Sequence, residues 1–507
     1  MSQPITEHLN RRRILQLTGS TTIGMLLGSP AYLGTTRHAR AAGASLTLSV
    51  TRSGDKFFYN GKITGPIISA SAGETIKVDL VNSMPALDDD CMDDMNDPHG
   101  ENTTNLHTHG LHVSPEQDST GNFDSDNVFL NVVPQEQVVP CWNDATFRRG
   151  KNQYRFNLPD DHPPGTHWYH AHKHGSTYDQ VVGGLAGALI IKDPPGHMPD
   201  YIANAPERVI MISGGKAIEV DPDGGGKTDH TITLAPGAVE RWRIINAEPR
   251  ASSFVKLEVD SPDVELWQIA FDGLTLEKRV QITFDDDKDP WLSPGALAPG
   301  NRTDLMIRVK NDAPLGPLAL IAGRVPVKFL HVSDDDTLAL AATGVDIRIE
   351  VSGEPVPTDW PDDPTLPGPG LDPIEGPVAE NRKVSFDIQF PRFTINEKVF
   401  GEVKEPMFQM KLNTSEAWRL ENLSGGMHPF HIHVNPFFVT HINNVELEDG
   451  NPLRRWQDTI AIPPTVDGQP GSINFMTRFI DFTGKFVVHC HILQHEDLGM
   501  MRVVEVV

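Results

Sequence analysis

The stretch GETIKVDLVN (Gly73–Asn82) opens on a turn residue, alternates apolar Ile76, Val78 and Leu80 with polar Lys77 and Asp79, and closes on Asn82. A period of two sends successive side chains to opposite faces of a strand, so it reads as a half-buried β-strand. The phrase returns as GAVERWRIIN (Gly237–Asn246) and as SEAWRLENLS (Ser415–Ser424), each time carrying the alternation to an Asn. Three echoes at domain-sized intervals predict three related β-units, in keeping with a length of 507 residues. With 43 Gly, 41 Pro and no long heptad or amphipathic helical pattern, the chain reads as all-β, made of antiparallel sandwiches or barrels. The first unit is expected over 45–195, closing with GALIIKD before PPGHMPD, the second over 200–352 and the third over 380–507. Between the last two, 353–379 is so rich in Pro and Asp that it reads as an extended linker.

Sixty-eight acids against 43 bases give a formal charge of −25, which argues against nucleic acid or an anionic membrane as partner. NRRRILQ (Asn10–Gln16), a weakly apolar run and ARA (Ala39–Ala41) read as a twin-arginine export signal over 1–41, cleaved near 41–44. The expected destination is the periplasm or the exterior. Gly, Ser and Thr interrupt the apolar run, so no membrane span is expected there. Of three cysteines, Cys91 and Cys141 are candidates for one disulfide in an oxidising compartment, and Cys490 is the odd one out.

The 21 histidines are clustered. Composition alone gives roughly one pair at i, i+2 spacing; the chain has 107/109, 170/172, 172/174, 431/433 and 489/491. They fall in HTHG, HWYHAHKH, HPFHIH and HCHILQH. On a strand His-x-His aims two imidazoles at one face, about 7 Å apart, a spacing suited to ligands of neighbouring metals. Two clusters lie in the first unit and two in the third, so a shared site belongs where those units meet. Isolated histidines such as His112, His162 and His441 read as surface or satisfied core residues.

Cys490 lies between His489 and His491 and therefore faces the other side of its strand. A thiolate with two imidazoles and a weak axial Met is the blue-copper arrangement. His495 and Met500 follow in sequence, and His428, three residues before His431 and separated from it by Pro429, supplies the second imidazole. The eight imidazoles of the pairs 107/109, 170/172, 431/433 and 489/491, without a thiolate, suit copper that meets dioxygen, with the Cys490 backbone joining the two sites.

HTHG, HWYHAH, HPFHIH and HCHILQHEDLGM, in this order, resemble the four copper signatures of the three-domain multicopper oxidases, the laccase-like family. The resemblance spans the chain beyond the export signal. It implies three cupredoxin-like Greek-key domains and four copper ions. The type 1 copper would take His428, Cys490, His495 and axial Met500, and the type 2 copper His107 and His431. The type 3 pair would take His109, His170, His172, His433, His489 and His491. It further implies that Asp118 and Glu496 supply protons, while His174 reads as a supporting residue and not a ligand.

The expected reaction is one-electron oxidation of phenols and aromatic amines at the Cys490 site, coupled to four-electron reduction of dioxygen to water. An axial Met points to a low- to medium-potential enzyme. One alternative is a periplasmic cuprous oxidase that takes Cu(I), although the 14 methionines form no strong cluster before Cys490. The other is a non-enzymatic blue-copper carrier, against which the eight additional histidines argue.

Overall fold

The computed structural model describes residues 42–87, 94–137, 146–228, 231–251, 253–259, 261–283, 293–320, 323–324, 347–356, 358–372, 374 and 376–507. The export signal expected over 1–41 and the disulfide candidates Cys91 and Cys141 lie outside them. The chain is all-β, with 48% strand and 4% helix. No helix of the described residues is long and apolar enough to cross a membrane.

The three echoed phrases occupy the same topological position. Strands Thr75–Asn82, Val239–Asn246 and Thr414–Asn422 each pair in parallel with an earlier strand, Ala42–Ser53, Glu207–Ser213 and Glu380–Gln389 respectively. On the other edge each pairs antiparallel, with Lys151–Asn157, Arg302–Val309 and Gly471–Phe479. Their terminal asparagines are used identically. Asn82, Asn246 and Asn422 are all buried, and each Nδ2 donates to two backbone carbonyls, one in a loop and one on a strand: Asn102 and Val132, Ser253 and Leu297, Gly426 and Ile462. Each Oδ1 accepts the backbone N–H two residues on, from Met84, Glu248 and Ser424. A buried amide satisfied in this way pins the exit loop of each unit.

In the first unit two four-stranded sheets enclose a core of Leu48, Val78, Tyr154, Phe156 and Leu189. The third packs two sheets around Phe386, Trp418, Phe430 and Phe475, and the same core holds Cys490 and Met500. Two echoes show the expected half-burial, but Val239–Asn246 is buried at every position. Its second face packs on the first unit, where Ile245 joins Trp168, Ala186 and Ala188. Arg243 on that face donates to Thr166 Oγ1 at 3.1 Å and to Asp304 at 2.9 Å.

The Pro/Asp-rich stretch is extended but not free. Leu366 is buried, its N–H donates to the Glu277 carbonyl, and the Arg279 guanidinium lies 4.6 Å from the Trp360 ring centroid. The apolar and cation–π contacts hold it against strand Leu274–Ile282.

Candidate metal centre

His107–His109 is a short buried strand paired antiparallel with Gly165–His170, with His107 opposite His170. In the third unit His428–Ile432 pairs antiparallel with Gly484–Cys490, with His431 opposite His489. Alternation along these strands sends the histidines of both units to one meeting point and Cys490 to the opposite side. His491 follows the end of its strand, and His495 sits on a short helix, Leu493–Asp497, in place of a continued strand.

At the meeting point eight imidazoles are buried together. The His107 and His433 rings stack at 3.8 Å, as do those of His109 and His431. His172 Nε2 and His433 Nε2 lie 3.2 and 3.3 Å from His489 Nε2, and His491 Nε2 lies 3.2 Å from His109 Nδ1. Two nitrogens each about 2.0–2.1 Å from one ion in tetrahedral geometry stand roughly this far apart. For His107, His170, His431 and His489 the opposite ring nitrogen is held from behind. His107 Nδ1 meets Asp126 Oδ2 at 2.9 Å, while His170, His431 and His489 donate from Nδ1 to the carbonyls of Ala171, Asp458 and Cys490. The inward Nε2 atoms of His107, His170 and His431 are buried without a partner. Orphaned lone pairs converging in a buried site are what a metal cluster requires. Burial, reinforced by neighbouring histidines, holds His107, His109, His170, His433, His489 and His491 well below the usual imidazole range, so their rings are neutral and able to ligate.

On the other side of the strand Cys490 Sγ lies 3.5 Å from His428 Nδ1 and 3.7 Å from His495 Nδ1. Met500 is buried in the same core; its N–H donates to the His495 carbonyl and its carbonyl accepts from Cys490 N–H. Ser424 Oγ, 2.7 Å from His428 Nε2, keeps Nδ1 turned to the sulfur. Phe393 packs on the His495 ring at 4.9 Å. Burial pushes the Cys490 thiol up, so a cation must displace its proton. Neither flanking histidine joins this set; both belong to the eight.

The two expected acids fare differently. Glu496 is fully buried, 3.9 Å from His172 Nδ1 and 3.5 Å from His174 Nδ1, and neither carboxyl oxygen has a hydrogen-bond partner. Burial, then neighbouring Asp497, raises it well above the usual range. Asp118, expected to supply protons, is engaged within its own loop. Its carboxylate accepts from Thr120 Oγ1 and from the N–H groups of Thr120, Asn122 and Phe123, so it caps its own loop. Asp126 lies against the cluster instead: it holds His107 and accepts from Thr108 N and Oγ1. Burial pushes Asp126 up to about 7, against the pull of the Thr108 hydrogen bonds.

Sequence reasoning also missed Asp458, whose Oδ1 lies 3.3 Å from His109 Nε2. It treated His112 as an isolated residue. That ring instead bridges the first and third units, with Nε2 2.7 Å from Asp481 and Nδ1 2.8 Å from the Val434 carbonyl.

Residues 95–196 and 376–507, which hold all of these clusters, each match a family model described as multicopper oxidase. Multicopper oxidase mco of Staphylococcus aureus is 26% identical over 472 residues, covering 88% of this chain and 83% of that protein. A laccase of Haloferax volcanii is 25% identical, covering 87% of this chain and 76% of its own length. Among solved structures, a Campylobacter jejuni multicopper oxidase described as a metallo-oxidase superposes with a TM-score of 0.63 at 22% identity, covering 92% of this chain and 96% of that one. One from Pediococcus acidilactici gives 0.62 at 19%, covering 95% and 93%.

Proposed function

Because this chain belongs to the multicopper oxidase family, we propose that it oxidises phenols and aromatic amines one electron at a time and reduces dioxygen to water. Copper bound at the two donor sets supplies a one-electron acceptor beside Cys490 and a multi-electron dioxygen-reducing centre among the eight histidines. In this reading His428, Cys490, His495 and Met500 hold type 1 copper, and His107 and His431 hold type 2. His109, His170, His172, His433, His489 and His491 hold the type 3 pair, making four ions in all. The three β-units are three cupredoxin domains over 45–195, 200–352 and 380–507.

The observation that carries the proposal is the position of Cys490. Its peptide bonds reach His489 and His491 directly, and His489 Nδ1 also donates to the Cys490 carbonyl at 3.1 Å. The donor oxidised and the oxygen reduced are thus kept on opposite faces of one strand, with a covalent path between them. His428 is fully buried and His495 is 9% exposed, so a reducing substrate approaches through His495. Glu496, kept protonated by burial beside His172, is placed to deliver protons to the histidine cluster, and Asp126 holds the His107 tautomer that turns Nε2 inward. The NRRRILQ segment supports export to the periplasm or beyond.

Steady-state oxygen uptake with a phenol and with Cu(I) tests the substrate class. The proposal expects turnover with the phenol; fast Cu(I) oxidation with negligible phenol turnover would replace it with a cuprous oxidase. A chain that turns over neither and holds one copper would be a carrier.

A further inference from the structure

All the proposed ligands belong to the first and third units, yet among the described residues the middle unit reaches the histidine cluster through 298–302. Gly300, at φ +94°, has room only for hydrogen: a Cβ there would stand 2.9 Å from the His491 ring and 3.2 Å from that of His109. Arg302 is fully buried, and its two terminal nitrogens donate to the two Asp458 oxygens at 2.8 and 2.6 Å. Asp272, also of the middle unit, accepts from the N–H groups of Arg302, Asp458 and Thr459 at 3.0, 3.3 and 3.1 Å. Asn301 Nδ2 adds a bond to the Thr459 carbonyl. The peptide Asp458–Thr459 is therefore gripped through both its backbone and its side chain.

That peptide decides how two imidazoles face. The Asp458 carbonyl and Thr459 Oγ1 each lie 3.0 Å from His431 Nδ1, which leaves His431 Nε2 inward. Asp458 Oδ1 lies 3.3 Å from His109 Nε2, which leaves His109 Nδ1 inward, 3.2 Å from His491 Nε2. His109 is turned opposite to His431, held by the Asp458 carboxylate with Thr459 Oγ1 beside it at 3.4 Å. A buried carboxylate holds one orientation only when its charge is matched, and the planar two-pronged guanidinium matches it in a way a lysine ammonium does not.

We propose that Arg302, backed by Asp272, is a positioning residue through which the middle unit orients His109 and His431 toward the copper cluster. The proposal rests on the copper-oxidase reading. It assigns the middle unit, which supplies no ligand, a part in building the oxygen-reducing site. Arg302 touches none of His428, Cys490 and His495, so the blue site serves as an internal control.

The test uses the full copper-loaded chain as wild type, Arg302→Lys and Arg302→Met. Copper per chain, the type 2 electron paramagnetic resonance signal, the blue absorption and the melting temperature are measured for each. Arg302→Lys keeps the charge and loses the fork. It is expected to retain full blue absorption, to bind type 2 copper about 10- to 100-fold more weakly, and to show altered hyperfine splitting in what remains. Arg302→Met should lose more; if it does not accumulate, Arg302→Lys decides alone. An Arg302→Lys protein with four coppers and an unchanged type 2 spectrum overturns the proposal, even if its melting temperature falls, because Arg302 would then only join two units. A wild-type chain lacking any type 2 signal overturns the parent reading instead, and this one with it.

Discussion

Asp126 and Asp118 lie eight positions apart in sequence and only the first touches the cluster, so alanine at each site separates a ligand-orienting acid from a loop cap. Asp126→Ala removes the partner of three buried donors, His107 Nδ1, Thr108 N–H and Thr108 Oγ1. A buried donor left unsatisfied costs about 1–3 kcal/mol, so the three together cost about 3–9 kcal/mol. The His107 ring then loses the bond that fixes its tautomer, a change of the kind that weakens metal binding about 10- to 100-fold. Asp118→Ala removes a loop cap of the Thr120, Asn122 and Phe123 N–H groups, worth about 1 kcal/mol by analogy with other capping side chains. Oxygen uptake, type 2 signal intensity and thermal unfolding would be measured on both variants. Under the proposed copper assignment, Asp126→Ala is expected to lose type 2 copper and oxygen uptake while Asp118→Ala keeps both with a slightly lower melting temperature. Loss of oxygen uptake in Asp118→Ala with a fully active Asp126→Ala would refute this reasoning.

Three further outcomes follow from the geometry. Ser424→Ala strips the acceptor from His428 Nε2–H, 2.7 Å away, and so makes that imidazole a weaker donor. Losing a hydrogen bond of about 0.5–1.5 kcal/mol, at 59 mV per tenfold for one electron, raises the type 1 potential by about 20–65 mV, read by redox titration of the blue band; an unchanged or lower potential contradicts the assignment. The Cys490 thiol is raised by burial and the His428 and His495 imidazoles are lowered, so near neutrality copper uptake at this site displaces one proton, from sulfur. Its apparent affinity, measured against a competing chelator, should rise about tenfold per pH unit from pH 6 to 8, and a flat profile would show the thiol already ionised. Gly300→Ala forces a Cβ to 2.9 Å from the His491 ring at a positive φ. Strain and overpacking together cost about 2–4 kcal/mol, visible as a lower melting temperature, whereas wild-type stability would mean the loop is free to withdraw.

What could be read in the sequence was local. His-x-His pairs and the His489–Cys490–His491 alternation depend only on the period of a strand, so both faces were legible from neighbouring residues. The asparagines ending each echoed strand were visible too, and their buried double duty at Asn82, Asn246 and Asn422 explains why the phrase stops there. Asp126 escaped because the loop between it and His109 closes on itself through Asp118, and an offset along a loop does not fix direction. Asp458 and Arg302 are 156 residues apart, in different units, and meet only after the units dock. The full burial of Val239–Asn246 had the same origin, since its outer face is covered by the first unit and not by its own sheet partner. His495 departed from strand register because a helical turn carries it back over Cys490.

Whether one cysteine links two separate copper sites is decided by metal counting on wild type and Cys490→Ser. Wild type should hold four coppers per chain, be blue and consume oxygen. Cys490→Ser should hold three, with the type 2 signal kept and both colour and oxygen uptake lost. A wild type holding a single copper, or a Cys490→Ser variant that still consumes oxygen at the native rate, would contradict it.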